Sequence, residues 1–196
     1  MAETLLKRDS TLDTVTLSRM LAWAQSSHIE HRSPDEYIPD PDNPYMLRWF
    51  ARRKFQQFDA HCEPWLTHLW QSQDQPLENA YVHRFLRSDE DRALHDHPWS
   101  WVTVLLDGSY WEHVPADPDF PAGATVRRRR EAGDIVVRQD AAYPHRIELD
   151  EGRPVTTLFL TGKKTREWGF WCGASNWRHW RAFIAPGESG QARGCE

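Results

Sequence analysis

Between Tyr81 and Trp171 the chain is cut into eight short extended runs, with nothing of helical length between them. The runs are YVHRFLR, SWVTVLLD, SYWEHV, TVRRRRE, DIVVR, HRIEL, VTTLFLT and EWGFW. Turn-forming residues make the breaks: Asp107-Gly108, the loop PADPDFPAG, Ala132-Gly133-Asp134 and Glu151-Gly152-Arg153-Pro154. Strands this closely spaced leave no room for crossover helices, so they pair antiparallel, as a sandwich or a closed barrel.

The flanks read differently. From about Thr11 to Trp70 the apolar spacing is helical: TVTLSRMLAWA brings Val15, Leu17, Met20, Leu21 and Trp23 toward one face. NPYMLRWFARRKF does the same with Met46, Leu47, Trp49 and Phe50, with Pro44 in the first turn and Asn43 as its cap. At the other end, SNWRHWRAFIA predicts a C-terminal helix through Trp177, Trp180 and Phe183, capped by Ser175 or Asn176. The expected organisation is a mostly helical extension over 1–75, then a β unit with its helix over 76–196.

Composition narrows the function classes. A net charge of -5 gives no bulk pull toward nucleic acid or an anionic membrane. No apolar run approaches the ~20 residues a membrane helix needs, and the N-terminus carries no signal-peptide core, which predicts a cytoplasmic protein. Cys62, Cys172 and Cys195 are an odd set without CxxC spacing, expected to be reduced thiols. With 11 tryptophans, indoles are expected to line pockets or interfaces as well as fill the core.

His95 and His97 in HDHPWSW stand at i and i+2, so on an extended chain both imidazoles leave the same face. Two such nitrogens are half of a metal site. His145, just after the Tyr143-Pro144 turn and opening another strand, is the candidate third ligand.

These residues resemble the cupin motifs. His95 and His97 match the H-x-H of the first, Gly108 its closing glycine, and Gly133-Asp134 with His145 the second. The likeness covers about residues 81–171. It implies a mainly β fold, an antiparallel double-stranded β-helix or jelly-roll-like barrel. The phrase HRFLRSDEDRALHDHPWSW, with the late EWGFW and WRHW, is also similar to small single-domain cupins of bacteria and their phages. That likeness implies a fold and no activity.

One departure stands out. The position of the family's glutamate ligand falls on Trp101. The three-histidine set that is left resembles the thiol dioxygenase branch of the cupins, which implies ferrous iron. Zinc or another divalent ion fits the same trio electronically. A barrel that has lost its metal, with Trp101 filling the pocket, fits as well. Asp96 should face away from the two histidines, at the surface or supporting the site. His83 reads as a packed histidine, and Glu112 or His113 as ligands only under a different register.

Three neutral ligands leave a divalent ion uncompensated, which suits a small anionic substrate. Arg138 is the first candidate for its clamp and Arg84 the second, although alternation lets only one of His83 and Arg84 face the interior. Trp101 and Tyr110 are candidate pocket walls. Arg127 to Arg130 form either a wet edge strand or a strand with two inward guanidinium groups. Asp89, Glu90 and Asp91 are expected to pair with Arg87 and Arg92.

Two functions follow. One is a metal-dependent, Fe(II)-type oxygenase acting on a small anionic molecule. The other is a non-catalytic cupin that binds a small ligand or a protein partner, as a homodimer through its N-terminal segment.

Overall fold

The computed structural model describes residues 10–52, 77–89, 93–117, 119, 123–150, 152–172, 176–185 and 193–195. Its largest layer is a seven-stranded antiparallel sheet. In spatial order the strands are β1 (Ser10–Thr11), β9 (Asp134–Arg138), β6 (Trp101–Asp107), β11 (Val155–Gly162), β4 (Leu77–Phe85), β3 (Met46–Arg52) and β2 (Glu36–Ile38). A three-stranded sheet orders β10 (Arg146–Leu149), β7 (Ser109–Pro115) and β8 (Thr125–Glu131). A second three-stranded sheet orders β13 (Asn176–His179), β12 (Gly169–Cys172) and β5 (Leu94–His95). The result is a jelly-roll-like sandwich, mainly β as expected, with all pairs antiparallel.

The seven-stranded sheet is covered on both faces, with buried polar residues among the apolar ones of its inner face. Helix α1 (Thr14–Ala24) covers the outer face, where Met20 and Ala24 meet Trp49, Ala80, Val82, Val102, Val104, Leu158 and Leu160. Asp13 starts this helix by accepting from the N–H groups of Val15 and Thr16, a cap worth about 1 kcal/mol. The inner face meets the β10-β7-β8 sheet through Met46, Phe85, Leu105, Val155, Tyr110, Ile147 and Leu149. Registered rows cross this inner face. Arg48, His83, Thr157 and Leu105 form one, Phe50, Tyr81, Phe159, Thr103 and Val136 the next, and Asn79, Thr161, Trp101 and Arg138 the one after.

The Asp107-Gly108 hairpin between β6 and β7 needs its glycine. Gly108 has φ +83, and a Cβ there would stand 2.9 Å from the Pro154 carbonyl oxygen.

Several sequence expectations are corrected. Met46–Arg52 is a strand and not a helix. Met46, Arg48 and Phe50 face inward while Leu47, Trp49 and Ala51 pack toward α1, so a strand buried on both sides imitates helical spacing. Pro44 and Asn43 belong to a turn in which Asp40 accepts from the N–H groups of Asp42 and Asn43. Near the C-terminus, Asn176–His179 pairs with β12, and only Trp180–Ile184 is helical (α2). His179, rather than Ser175 or Asn176, caps α2 by accepting from the Arg181 N–H. Cys172 and Cys195 are joined in a disulfide and are not free thiols. Within α1, Val15 is 63% exposed, so the packed stripe is Leu17, Met20, Leu21, Trp23 and Ala24. The expected boundary at 75/76, Cys62, Trp70, Glu90, Asp91 and Arg92 lie outside the described residues.

Candidate metal centre

His95 ends the short strand β5, and His97 follows two positions on, so both leave one side of an extended segment. His145 faces His95 across an antiparallel bridge, with each N–H donating to the other's carbonyl at 2.9 Å. A further backbone bond, from His97 N–H to the Ala141 carbonyl, holds the segment against the loop before His145. The three rings then form a nearly equilateral triangle, with centroid separations of 5.3, 4.9 and 5.1 Å. One nitrogen from each lies within 4.8 Å of the others.

The donor set fits a divalent ion. Two nitrogens about 2.1 Å from a common ion and at right angles stand about 3 Å apart; His97 Nε2 and His145 Nε2 are 2.9 Å apart. Burial, followed by the neighbouring His145, holds His95 and His97 well below the ordinary histidine range. Both are therefore neutral imidazoles, the form that binds metal.

One carboxylate stands close behind a ring and a second lies farther off, beyond hydrogen-bond distance. Glu112 Oε1 lies 3.3 Å from His145 Nδ1. Burial alone would raise the Glu112 carboxyl, but His145, Arg138 and Arg130 outweigh it and hold it well below the usual carboxylate range. Arg130 donates to Glu112 Oε2 through Nε (2.9 Å) and Nη2 (2.7 Å), and Arg138 Nη2 reaches both oxygens at 3.1 and 3.2 Å. Asp89 Oδ2 lies 3.9 Å from His95 Nδ1 and accepts from the Ile147 N–H. Its side chain is buried and turned inward, and burial raises its pKa. A carboxylate close behind a histidine favours one tautomer and one aim, which suits Glu112 at His145, whereas Asp89 acts on His95 only through space.

Asp96 does face away from the ligands, as alternation requires, but into a buried site rather than the surface. It accepts from the Gly169 N–H (2.8 Å), Trp171 Nε1 (3.2 Å) and Trp177 Nε1 (2.9 Å), and pairs with Arg166 at 2.8 Å. These contacts clamp the β12-β13 hairpin onto the ligand-bearing segment. Trp101, at the family's glutamate position, begins β6, and its ring lies 4.9 Å from His145 and 5.4 Å from His97. The Nε1 atoms of Trp101 and Trp99 and the Thr157 hydroxyl are buried without a hydrogen-bond partner among the described residues.

The other predicted residues are placed as follows. Arg138 lies over Trp101 and Tyr143, with its guanidinium engaged by Glu112 and the Val137 carbonyl. Arg84 sits beside Leu47 on the α1 side of the sheet, and His83 takes the inner face. Tyr110 is in the apolar cluster between the sheets, its hydroxyl pKa pushed up by burial. The arginine strand β8 is an edge strand, and of its four arginines only Arg130 is buried. Arg127 and Arg129 pair with Glu148 and Asp150 and flank Trp111.

Sequence reasoning missed Arg48 and the inward place of Asp89, and named Arg130 only as one of four arginines of which two could face inward. Arg48 Nε donates to His83 Nε2 at 2.9 Å, and its charge acts on His97. Strand parity from Tyr110 would have turned Glu112 inward toward Arg130, whereas the helical reading of 44–55 hid Arg48.

No family model matches the sequence, and no curated protein matches it. Solved structures do. SnoN, the non-heme α-ketoglutarate-dependent epimerase from nogalamycin biosynthesis, superposes with a TM-score of 0.51 at 15% identity, covering 86% of this chain and 82% of that one. This chain has the cupin fold. Vicilin from Corylus avellana (hazelnut) matches with a TM-score of 0.43 at 14% identity, over 68% of this chain and 32% of that one. Lactobacillus farciminis oxalate decarboxylase, solved as its formate complex, gives 0.41 at 17% identity, over 72% and 34%. This chain thus spans about a third of each of these two. Among its described residues no helix is long and apolar enough to cross a membrane.

Proposed function

We propose that this cupin is a metal-dependent enzyme in which His95, His97 and His145 hold ferrous iron and a small organic anion is oxygenated. The carrying observation is the convergence of three imidazole nitrogens within 4.8 Å, from segments far apart in the chain. Ferrous iron held this way supplies Lewis acidity, one-electron chemistry toward dioxygen and open positions for a substrate.

The chain's own residues supply the rest. Glu112 is committed to Arg130, Arg138 and His145, so it orients a ligand and does not neutralise the ion. The uncompensated charge favours an anionic partner. Trp101, Trp99 and Phe159 wall the centre with apolar surface, and the two indole N–H groups are free to donate to an anion. SnoN, which shares the fold, is itself described as non-heme and α-ketoglutarate-dependent.

A second reading, a non-catalytic cupin binding a small ligand or a protein partner, draws on Trp101, whose indole narrows the space beside His97 and His145. Elemental analysis of protein purified without chelating resin separates the two. Stoichiometric iron, lost in His97→Ala while the fold survives, supports the enzyme. Full metal content in His97→Ala, or no uptake of any divalent ion by the wild type, overturns the metal reading.

A further inference from the structure

A second polar group lies on the same inner face, one row from the aromatic residues beside His97. Arg48 on β3, His83 on β4 and Thr157 on β11 are registered side by side across three strands. His83 is buried, and its ring stacks on Tyr81 (5.7 Å) and Phe159 (5.2 Å). Its Nε2 accepts from Arg48 Nε, which fixes the guanidinium over the face of Tyr81 at 5.0 Å. Phe159 in turn lies 5.8 Å from His97, so an aromatic floor runs from Arg48 to the three-histidine centre.

Two features mark this group as a place for a ligand. The Thr157 hydroxyl, in a side chain 1% exposed, has no hydrogen-bond partner among the described residues. Arg48 also meets a carboxylate already: its Nη1 donates at 2.8 Å to Glu36 Oε2, from the edge strand β2. The Glu36 side chain is 43% exposed, and Arg48 is its only side-chain partner among the described residues. A half-exposed ion pair of this kind is held weakly and yields to a better-seated carboxylate. The fork of a guanidinium fixed through Nε leaves its Nη groups to meet a carboxylate in plane.

We infer that Arg48, held by His83, anchors the acid group of a small carboxylic acid with an apolar body, and that Glu36 occupies this anchor until the acid displaces it. The apolar body lies along Tyr81 and Phe159, which directs the far end of the molecule toward His95, His97 and His145. This deepens the proposed function by naming its substrate class, and rests on that reading for the role of the histidines alone.

The test uses the full chain, stripped of metal by a chelator, with benzoate as probe and uncharged benzamide as control, by titration calorimetry. Glu36→Gln removes the resident carboxylate and should bind benzoate about tenfold more tightly than the wild type, with benzamide unchanged. Arg48→Gln should lose benzoate binding; Arg48→Lys, which keeps the charge but not the fork, should fall between. Circular dichroism confirms that each variant is folded. Equal benzoate affinity in wild type and Glu36→Gln overturns the inference, as does wild-type affinity in Arg48→Gln or no benzoate binding by Glu36→Gln. Because no metal is present, these outcomes stand apart from the iron analysis: a protein that takes no ion but shows the benzoate pattern loses only its metal reading.

Discussion

Glu112 stands behind His145, its Oε1 3.3 Å from Nδ1, while the opposite nitrogen of the same ring lies 2.9 Å from His97 Nε2. One carboxylate therefore aims a candidate ligand while two arginines keep it charged. Replacing it separates aim from charge. Glu112→Gln should lower divalent-metal affinity about 10–100-fold with the histidines intact. Glu112→Ala, which strands Arg130 and Arg138, should also destabilise the fold by about 3–5 kcal/mol. Metal titration and urea unfolding read the two effects; unchanged metal affinity in Glu112→Gln would mean that the carboxylate does not position the ring.

Acid should unfold this protein early. His95, His97 and His83 sit well below the usual value of 6.5, and His28 is lowered to about 4, in each case by burial first. Above 6.5 these groups are neutral in both states and contribute no pH dependence. Below it the unfolded chain takes up protons that the folded chain refuses, costing up to about 1.4 kcal/mol per pH unit for each group until its folded value is reached. Glu112, depressed in the fold, adds a loss in the same direction further into acid. The urea midpoint of the metal-free protein should therefore fall steadily from about pH 6.5 downward; a flat profile to about pH 5 contradicts neutral, buried histidines.

Asp96 receives three N–H donors and one guanidinium while fully buried. Asp96→Ala should cost about 3–5 kcal/mol, since Arg166 and two indoles lose their acceptor. Asp96→Asn, with one oxygen left to accept, should cost less. Chemical denaturation of the two variants gives the ranking, and equal stability of Asp96→Ala and wild type would refute the clamp.

Gly169 has no space for a side chain: a Cβ there would lie 2.1 Å from the Arg178 carbonyl oxygen across the β12-β13 pair. Gly169→Ala should destabilise by about 1–3 kcal/mol or more through forced backbone separation. Hydrogen exchange should show the loss concentrated at Phe170 and Trp171; uniform protection across this hairpin would argue against it.

Much of the scaffold was legible in the residues. The eight runs are strands because turn chemistry and β-branched residues act locally, and His95 and His97 share a side because strand parity is local; His145, 48 positions beyond His97, was placed with them by the motif likeness and not by short-range geometry. What failed were segments whose conformation is decided by distant partners. Met46–Arg52 carries apolar residues on both faces because α1 covers one side and the sandwich interior the other, so its pattern alone could not separate strand from helix. The reach of Asp89 to Ile147, 58 positions on, and the Glu112–Arg130–Arg138 cluster depend on which strands are neighbours, which alternation within one strand does not reveal.

In HDH, the middle position is commonly written as a wildcard between the two histidines, yet here it is a fully buried acid that meets three N–H donors and one guanidinium. Since successive strand residues point in opposite directions, Asp96 works as a peg: whatever seats or unseats the Trp171–Trp177 hairpin on one side tilts both imidazoles on the other. The stiffness of the three-histidine centre is thus set in part from the far side of the ligand-bearing segment, by the tryptophans that bond Asp96.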